Sequence, residues 1–333
     1  MPSPAISVAM SVYNGERFLA PAIESVLGQT FGDFEFLILD DGSADGTAAI
    51  VRAYAAQDPR IRPIIRENRG LVASLNELLA AARAPIVARM DADDICHPER
   101  FARQIGFLAG HPDHGVIGSR TTDIDEQGQS FQLNLADHPL SHDELLHNIA
   151  TDGPLLAHPT VMFRRDVVLA AGGYHAAFRH CEDYDLWLRL AHRTRMANLP
   201  ERLLSYRRSP GQVSNRHAVE QCIGVGVSRV AYFERAAGRP DPTETLAVLP
   251  PIEALDALFG RAGVAREIRA HTARALLYSE AALGGAAFDL LLRHVADGGR
   301  GGELWRTVPR LVRFGKPARA VRLAMALVGS LAA

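Results

Sequence analysis

The chain has 333 residues, too many for a lone small module and enough for a large α/β body with an appendage. Its 47% hydrophobic and 22% charged content excludes a disordered chain, while 36 basic against 38 acidic residues, a formal net charge of −2, argues against a chain-wide nucleic-acid footprint. Cys96, Cys181 and Cys222 share no metal-type spacing and are too few for a disulfide framework, which predicts a reducing compartment.

Met1 to Ala9 lacks the basic start and long apolar stretch of a signal peptide. No run reaches the ~20 apolar residues of a spanning helix, so a cytoplasmic protein is expected. Ile6 to Tyr13 reads as a strand closed by Asn14-Gly15, and Glu16 to Gln29 as a helix. Phe34 to Leu39 is a second strand ending in Asp40-Asp41-Gly42-Ser43, with Asp45 expected to cap a helix from Gly46 to about Ala56. Ile61 to Ile65 contains a proline and is therefore placed at a sheet edge. Leu71 to Ala82 reads as a helix, Pro85 to Met90 as a buried strand running into Asp91-Ala92-Asp93-Asp94, and Pro98 to Leu108 as a helix.

Strands alternating with helices in this way predict right-handed crossovers and an α/β fold with a mostly parallel, Rossmann-like central sheet flanked by helices. After residue 115 the rhythm changes to shorter mixed strands at Val116 to Thr122 and Thr160 to Arg164, with a helix from about Glu182 to Ala191. The proline-rich segment Gly238 to Pro251 predicts a boundary, with a helical C-terminal extension beyond it. The expected divisions are residues 1–115, 116–237 and 238–333.

Three polar clusters follow predicted strands: Tyr13-Asn14, Asp40-Asp41 and Asp91 to Asp94. Ligands of open α/β sheets bind beyond the carboxyl ends of the strands, so the clusters are expected to share one edge. Any single one of them is equally explained as a turn. Asp91, Asp93 and Asp94 are harder to dismiss, because three carboxylates within four residues repel one another unless a cation or several donors neutralise them. Oxygen ligands in small number suit Mg²⁺ or Mn²⁺ sharing its coordination with water and phosphate. No Walker or Gly-x-Gly-x-x-Gly loop follows a strand. Asp183, Trp187 and Leu190 fall on one helical face, so packing would aim the carboxylate and suit it to take a proton from a hydroxyl.

Ser11-Val12-Tyr13-Asn14, Leu37 to Thr47, Asn68-Arg69-Gly70 with Asn76, Arg89 to Asp94, Pro98-Glu99-Arg100 with Gln104, His158 to Arg164, Gly173-Tyr174, Glu182 to Arg189 and Tyr206-Arg207-Arg208 together resemble family 2 glycosyltransferases of the GT-A fold. The resemblance covers residues 5 to 215. It implies a metal-dependent, inverting, non-processive transfer of one sugar from a nucleoside-diphosphate sugar, a UDP- or dTDP-sugar, to a hydroxyl on a glycan or lipid-linked acceptor, in bacterial surface polysaccharide or glycolipid synthesis. It places Tyr13, Asn14 and Asp41 on the nucleotide. Asp91 and Asp93 match the Asp-x-Asp motif, with Asp93 or Asp94 on a Mn²⁺ or Mg²⁺ ion and its neighbour on the ribose, and Asp183 becomes the catalytic base. His158, Glu182 and Arg207 are the further candidates for acceptor or diphosphate contacts, against a structural role for the histidine and a surface ion pair for the arginine. Ser209 stands where relatives often carry a histidine.

A nucleotidyltransferase would need a basic, Gly-rich loop after the first strand, and Ser11 to Arg17 is not one. A glycoside hydrolase would need a carboxylate pair flanking the sugar rather than a diphosphate-binding metal. A non-catalytic sugar-binding or scaffold protein of the same fold would have no need of Asp93, Asp94 and Asp183. Beyond Glu303 lie six basic residues and no acidic one, leaving thirty bases against 38 acids before it, about −8. This tail is expected either to touch an anionic membrane peripherally, at the inner face, or to pack on the body.

Overall fold

The computed structural model describes residues 3–133, 137–209 and 217–332. They form two compact units, one built from the chain up to residue 175 together with 186–209, the other from 176–185 together with the chain beyond 209. The first opens with three β-α steps and a fourth strand: β1 (Ile6–Val12), α1 (Glu16–Leu27), β2 (Phe34–Asp41), α2 (Thr47–Gln57), β3 (Ile61–Arg66), α3 (Leu71–Ala81) and β4 (Ile86–Asp91). There follow β5 (Ile95–Cys96), α4 (Arg100–Gly110), β6 (His114–Ile124), β7 (Ser130–Phe131), α5 (His142–Thr151), β8 (Met162–Arg164), α6 (Arg165–Ala170), α7 (Glu182–Leu190) and β9 (Arg195–Arg207).

The strands lie in the order β3-β2-β1-β4-β8-β6-β9-β5, with β7 paired to β6. β1, β2, β3 and β4 are parallel, as are β6 and β9, while β8 and β5 run antiparallel to their neighbours. The proline-containing β3 occupies an edge, as expected. β1 and β2 are buried almost throughout, which is why they read as unbroken apolar runs rather than alternating ones. α1 turns Leu19, Ala22, Ile23 and Val26 onto them, each fully buried aliphatic contributing about 1.5–3 kcal/mol relative to exposure. A division at 115/116, as the change of rhythm suggested, falls inside β6.

A buried polar brace ties the centre of the sheet together. Arg100 and Gln104 are both fully buried on α4. The arginine donates to Gln104 Oε1 (3.0 Å), to the Arg89 carbonyl (2.7 Å) and to the Val161 carbonyl (3.2 Å), and Gln104 donates to the carbonyls of Ile117 (3.1 Å) and Thr160 (2.7 Å). These buried donors thus meet carbonyls at the centre of the sheet and one another.

One cap differs from expectation. Gly46, not Asp45, occupies the N-cap of α2. The Asp45 carboxylate instead accepts from the amides of Thr47 (3.0 Å) and Glu16 (3.2 Å).

The second unit contains α8 (Ala218–Ala236), α9 (Leu255–Leu258), α10 (Val264–Ala275), α11 (Glu280–Leu283), α12 (Ala286–Ala296), α13 (Gly302–Arg313) and α14 (Pro317–Ala332). The helical stretch expected from residue 238 is therefore most of this unit, which also takes in α8. Val227, Val230, Leu255, Val264 and Ile268 form one core with Phe178 and Cys181. A Cβ at Gly224 would lie 2.3 Å from Cys181 Sγ, so only glycine lets α8 approach here. The C-terminal helices form a second core through Leu304, Leu311, Leu323 and Leu327, packed with Phe288, Leu291 and Val295. No described helix is long and apolar enough to cross a membrane.

Candidate functional site

Because β2, β1 and β4 are adjacent and parallel, their C-terminal ends share one edge. Val12 pairs with Asp40, and Ser11 pairs with Asp91. The three polar clusters found in the sequence are therefore neighbours, at the place where open α/β sheets bind ligands.

The loops after β1 and β2 are knitted together. Asn14 has a positive φ of 50°, its amide donates to Ser43 Oγ (2.8 Å) and its Oδ1 accepts from the Ala44 amide (2.8 Å). Gly15 donates to Thr47 Oγ1 (2.9 Å) and Gly46 to Glu16 Oε2 (2.6 Å). Tyr13, 56% exposed, stands above this braced platform. At Gly42, φ is +77° and a Cβ would lie 2.5 Å from the Asn68 amide nitrogen. The close approach of the two loops requires glycine there.

Asp41 is buried and well supplied with donors. Its Oδ1 accepts from the Arg69 amide (2.9 Å) and pairs with Arg66, and its Oδ2 accepts from the Gly70 amide (2.8 Å). Arg66 is held in turn by Glu77 Oε2 (2.8 Å) and Ser74 Oγ (2.9 Å). Asp41 therefore fixes the 66–70 loop, and among these contacts Oδ2 keeps one lone pair for a ligand donor.

The cluster after β4 is built the opposite way. Asp91, Asp93 and Asp94 bring one carboxylate oxygen each to within 4.8 Å of one another. Arg89 pairs with Asp91. Burial and the nearby Asp91 push the Asp93 carboxyl up to about 6, and burial, Asp91 and Asp93 hold the Asp94 carboxyl well above the usual carboxylate range. Asp94 is 1% exposed. Its Oδ1 accepts from the Arg207 amide (2.8 Å), but its buried Oδ2 has no hydrogen-bond partner among the described residues. An orphaned buried oxygen facing two further carboxylates fits a hard divalent cation, whose charge would relieve all three.

Arg207 is not a surface ion pair, because it is 5% exposed. Its Nε donates to the Asp93 carbonyl (2.7 Å), an η nitrogen donates to the Asp125 carbonyl (2.7 Å), and its guanidinium lies 4.4 Å from the Phe18 ring centroid. It buttresses the backbone beneath the acids.

His158 is anchored inside the fold. It is 8% exposed, lies 2.9 Å from the Tyr174 hydroxyl through Nε2 and stands edge-on to Trp187. Burial, then Arg89, holds its imidazole well below the ordinary value, so it is neutral at pH 7. The run of acids opening α7 is confirmed as a first helical turn: Glu182 and Asp185 are buried and Asp183 is half-buried. On the same helix Trp187 and Leu190 are buried, the anchors expected to fix its orientation. Sequence reasoning missed the roles of Arg66, which ends β3 beside Asp41 of the neighbouring strand, and of Arg89, which pairs with Asp91 two residues further along β4. The segment after Ser209, 210–216, lies outside the described residues.

Comparison with known proteins agrees with this geometry. The profile of the family described as "Glycosyl transferase family 2" matches residues 7–170. The amylovoran biosynthesis glycosyltransferase AmsE of Erwinia amylovora is 35% identical over 216 residues, 63% of this chain and 79% of that one. Among solved structures, S. aureus TarS 1–349 in complex with UDP superimposes with a TM-score of 0.56 at 17% identity, covering 93% of this chain and 91% of that one. The mannosyltransferase PcManGT from Pyrobaculum calidifontis, in complex with GDP-Man and Mn²⁺, gives 0.53 at 18% identity over 98% and 88%. With its β-α halves, mixed sheet and acidic strand ends accounted for, the chain belongs to glycosyltransferase family 2, with a GT-A-like α/β fold and a helical C-terminal region.

Proposed function

We propose that the protein transfers a single sugar from a nucleoside-diphosphate sugar to an acceptor hydroxyl, with inversion, in the synthesis of a surface polysaccharide or glycolipid at the inner face of the membrane. The observation that carries this reading is the unbalanced triad Asp91, Asp93 and Asp94, with the buried, unpartnered Oδ2 of Asp94. Asp93 and Asp94 would hold Mn²⁺ or Mg²⁺, which offsets the charge of a leaving diphosphate. One neighbour bound to a nucleotide sugar and Mn²⁺ supports the same assignment.

The remaining roles belong to the chain. Tyr13 offers an exposed ring for the base to stack on, and Asn14 fixes the loop that carries it. Asp41 directs its remaining lone pair at a base donor, and Asp91 takes the ribose. Asp183 accepts the proton of the acceptor hydroxyl. The acceptor oxygen forms its bond to the sugar C1 from the face opposite the diphosphate, whose bond to C1 breaks with the electron pair leaving on oxygen. The donor nucleotide is UDP or dTDP and the acceptor a glycan or lipid-linked glycan.

Titration calorimetry with UDP tests the donor site. Binding should appear with Mn²⁺ and be lost when the metal is chelated. Equal binding with and without metal would sink the assignment of the triad.

A further inference from the structure

We propose that the outer surface of the α13–α14 hairpin docks on an anionic lipid bilayer. The proposal rests on the second unit alone and does not depend on the reading of the transfer site.

Both helices have two distinct faces. α13 turns Leu304, Thr307 and Leu311 inward, and α14 turns Ala320, Leu323 and Leu327 inward. This face packs within the second unit, on Phe288, Leu291 and Val295. A second apolar row follows one position later on each helix. Trp305 is 41% and Val312 54% exposed, seven residues apart on α13, while Val321 (59%), Met325 (66%) and Val328 (59%) stand at i, i+4 and i+7 on α14. Helical spacing puts each set on one face. Scattered exposed aliphatics need no explanation, but a row of exposed apolar side chains along each of two packed neighbouring helices marks an interaction surface.

Charge decides the occupant. No acidic residue occurs after Glu303, while Arg306, Arg313 and Lys316 are exposed at the flank and turn of the hairpin. Arg310 and Arg319 are engaged inward, the first over the Tyr278 ring at 4.1 Å and the second with the Leu283 carbonyl. They do not belong to the outer surface. Glu303 at the start of α13 pairs with Arg306 (2.5 Å), and Arg322 is 3.9 Å from Asp289 of α12. A second copy docking by the same patch would bring two cationic faces together, which repel. Apolar rows rimmed by arginine and lysine instead match the headgroup boundary of an anionic leaflet, where the side chains enter the acyl region and the cations meet lipid phosphates.

The test uses the full chain with vesicles of phosphatidylcholine alone or mixed with phosphatidylglycerol. The protein should sediment with the anionic vesicles, remain in solution with the neutral ones, and be released by salt. There are two tryptophans, and Trp187 is 1% exposed, so a blue shift of emission on adding anionic vesicles reports Trp305 entering the interface. The double variant Arg313→Glu/Lys316→Glu should weaken partition by at least about twentyfold, near fivefold per charge. Met325→Asp on the outer row should weaken it as well while leaving the melting temperature within a few degrees of the parent. Failure to bind anionic vesicles at low salt, or both variants binding like the parent, overturns the proposal. So does a concentration-dependent dimer, abolished by Met325→Asp, in a protein that ignores vesicles.

Discussion

Two acidic clusters stand on one sheet edge, at the ends of β2 and β4 on either side of β1, and they are opposite in kind. Asp41 is buried among donors: a guanidinium and two backbone amides reach its two oxygens. Asp94 is at least as deeply buried, yet one amide reaches one oxygen, the other oxygen has no partner among the described residues, and two like charges face it. A carboxylate after a strand can thus be a finished structural element or a deliberately unfinished one. Only the second kind leaves its charge to be balanced by a ligand.

That contrast makes predictions of opposite sign. The largest concerns a third acidic group outside both clusters. Asp183→Asn should lower kcat about a thousandfold while leaving Mn²⁺-dependent UDP affinity unchanged, measured by released diphosphate and by calorimetry. Surviving activity would move the base elsewhere. Next, Asp41→Asn should destabilise the apo protein by about 1–2 kcal/mol, since an amide nitrogen replaces one of the oxygens that accept from the Arg69 and Gly70 amides and Arg66 keeps only Glu77 as its carboxylate partner. Chemical denaturation reads this directly. Asp94→Asn should weaken metal-dependent UDP binding by at least about a hundredfold. Unlike Asp41→Asn, it should raise apo stability, by about 1 kcal/mol, because a buried, uncompensated charge disappears while the acceptor for the Arg207 amide remains.

The last effect is on pH. Asp93 titrates near 6 in the folded protein against about 3.9 in an unfolded chain. Between these values the folded state holds more protons. Apo stability should therefore fall as pH rises from about 4 to about 6 and then level off as far as this group is concerned. Saturating Mn²⁺ should flatten that slope. Melting curves across this window, with and without metal, give the comparison, and a slope of the opposite sign would place the dominant titration elsewhere.

The legibility of the sequence follows the same divide. The β-α steps up to α4 were readable because β1, β2 and β4 are buried on both faces and α1 carries one clean apolar row. β9 was not, although it is the longest strand. Ser119 pairs with Leu199 and Arg120 with Arg202, so Pro200 and Glu201 bulge out of the ladder, and a proline followed by charges interrupts the pattern that marks a strand. α5 was missed despite a readable signal, Ser141 capping the Glu144 amide (3.2 Å).

At the site, the positions of the acids were legible from their place after strands. So was the repulsion within the Asp91–Asp94 run, but not which partners each carboxylate meets. Asp41 pairs with an arginine 25 residues away, and Asp94 accepts on one oxygen only, from an amide 113 residues away, and no local pattern encodes either distance. Motif membership left Arg207 and His158 open between a ligand contact and a structural role. The first donates to the Asp93 carbonyl beneath the acids and the second bonds to Tyr174, contacts that no local pattern marks.

The central claim is that the acids after β4 remain unbalanced until a cation arrives. Thermal melting of the parent and of Asp94→Asn, each with and without Mn²⁺, addresses it most directly. The account predicts that Mn²⁺ raises the melting temperature of the parent, that Asp94→Asn melts higher than the metal-free parent, and that Mn²⁺ then adds little. A variant that melts lower than the metal-free parent and still gains the full Mn²⁺ shift would contradict it.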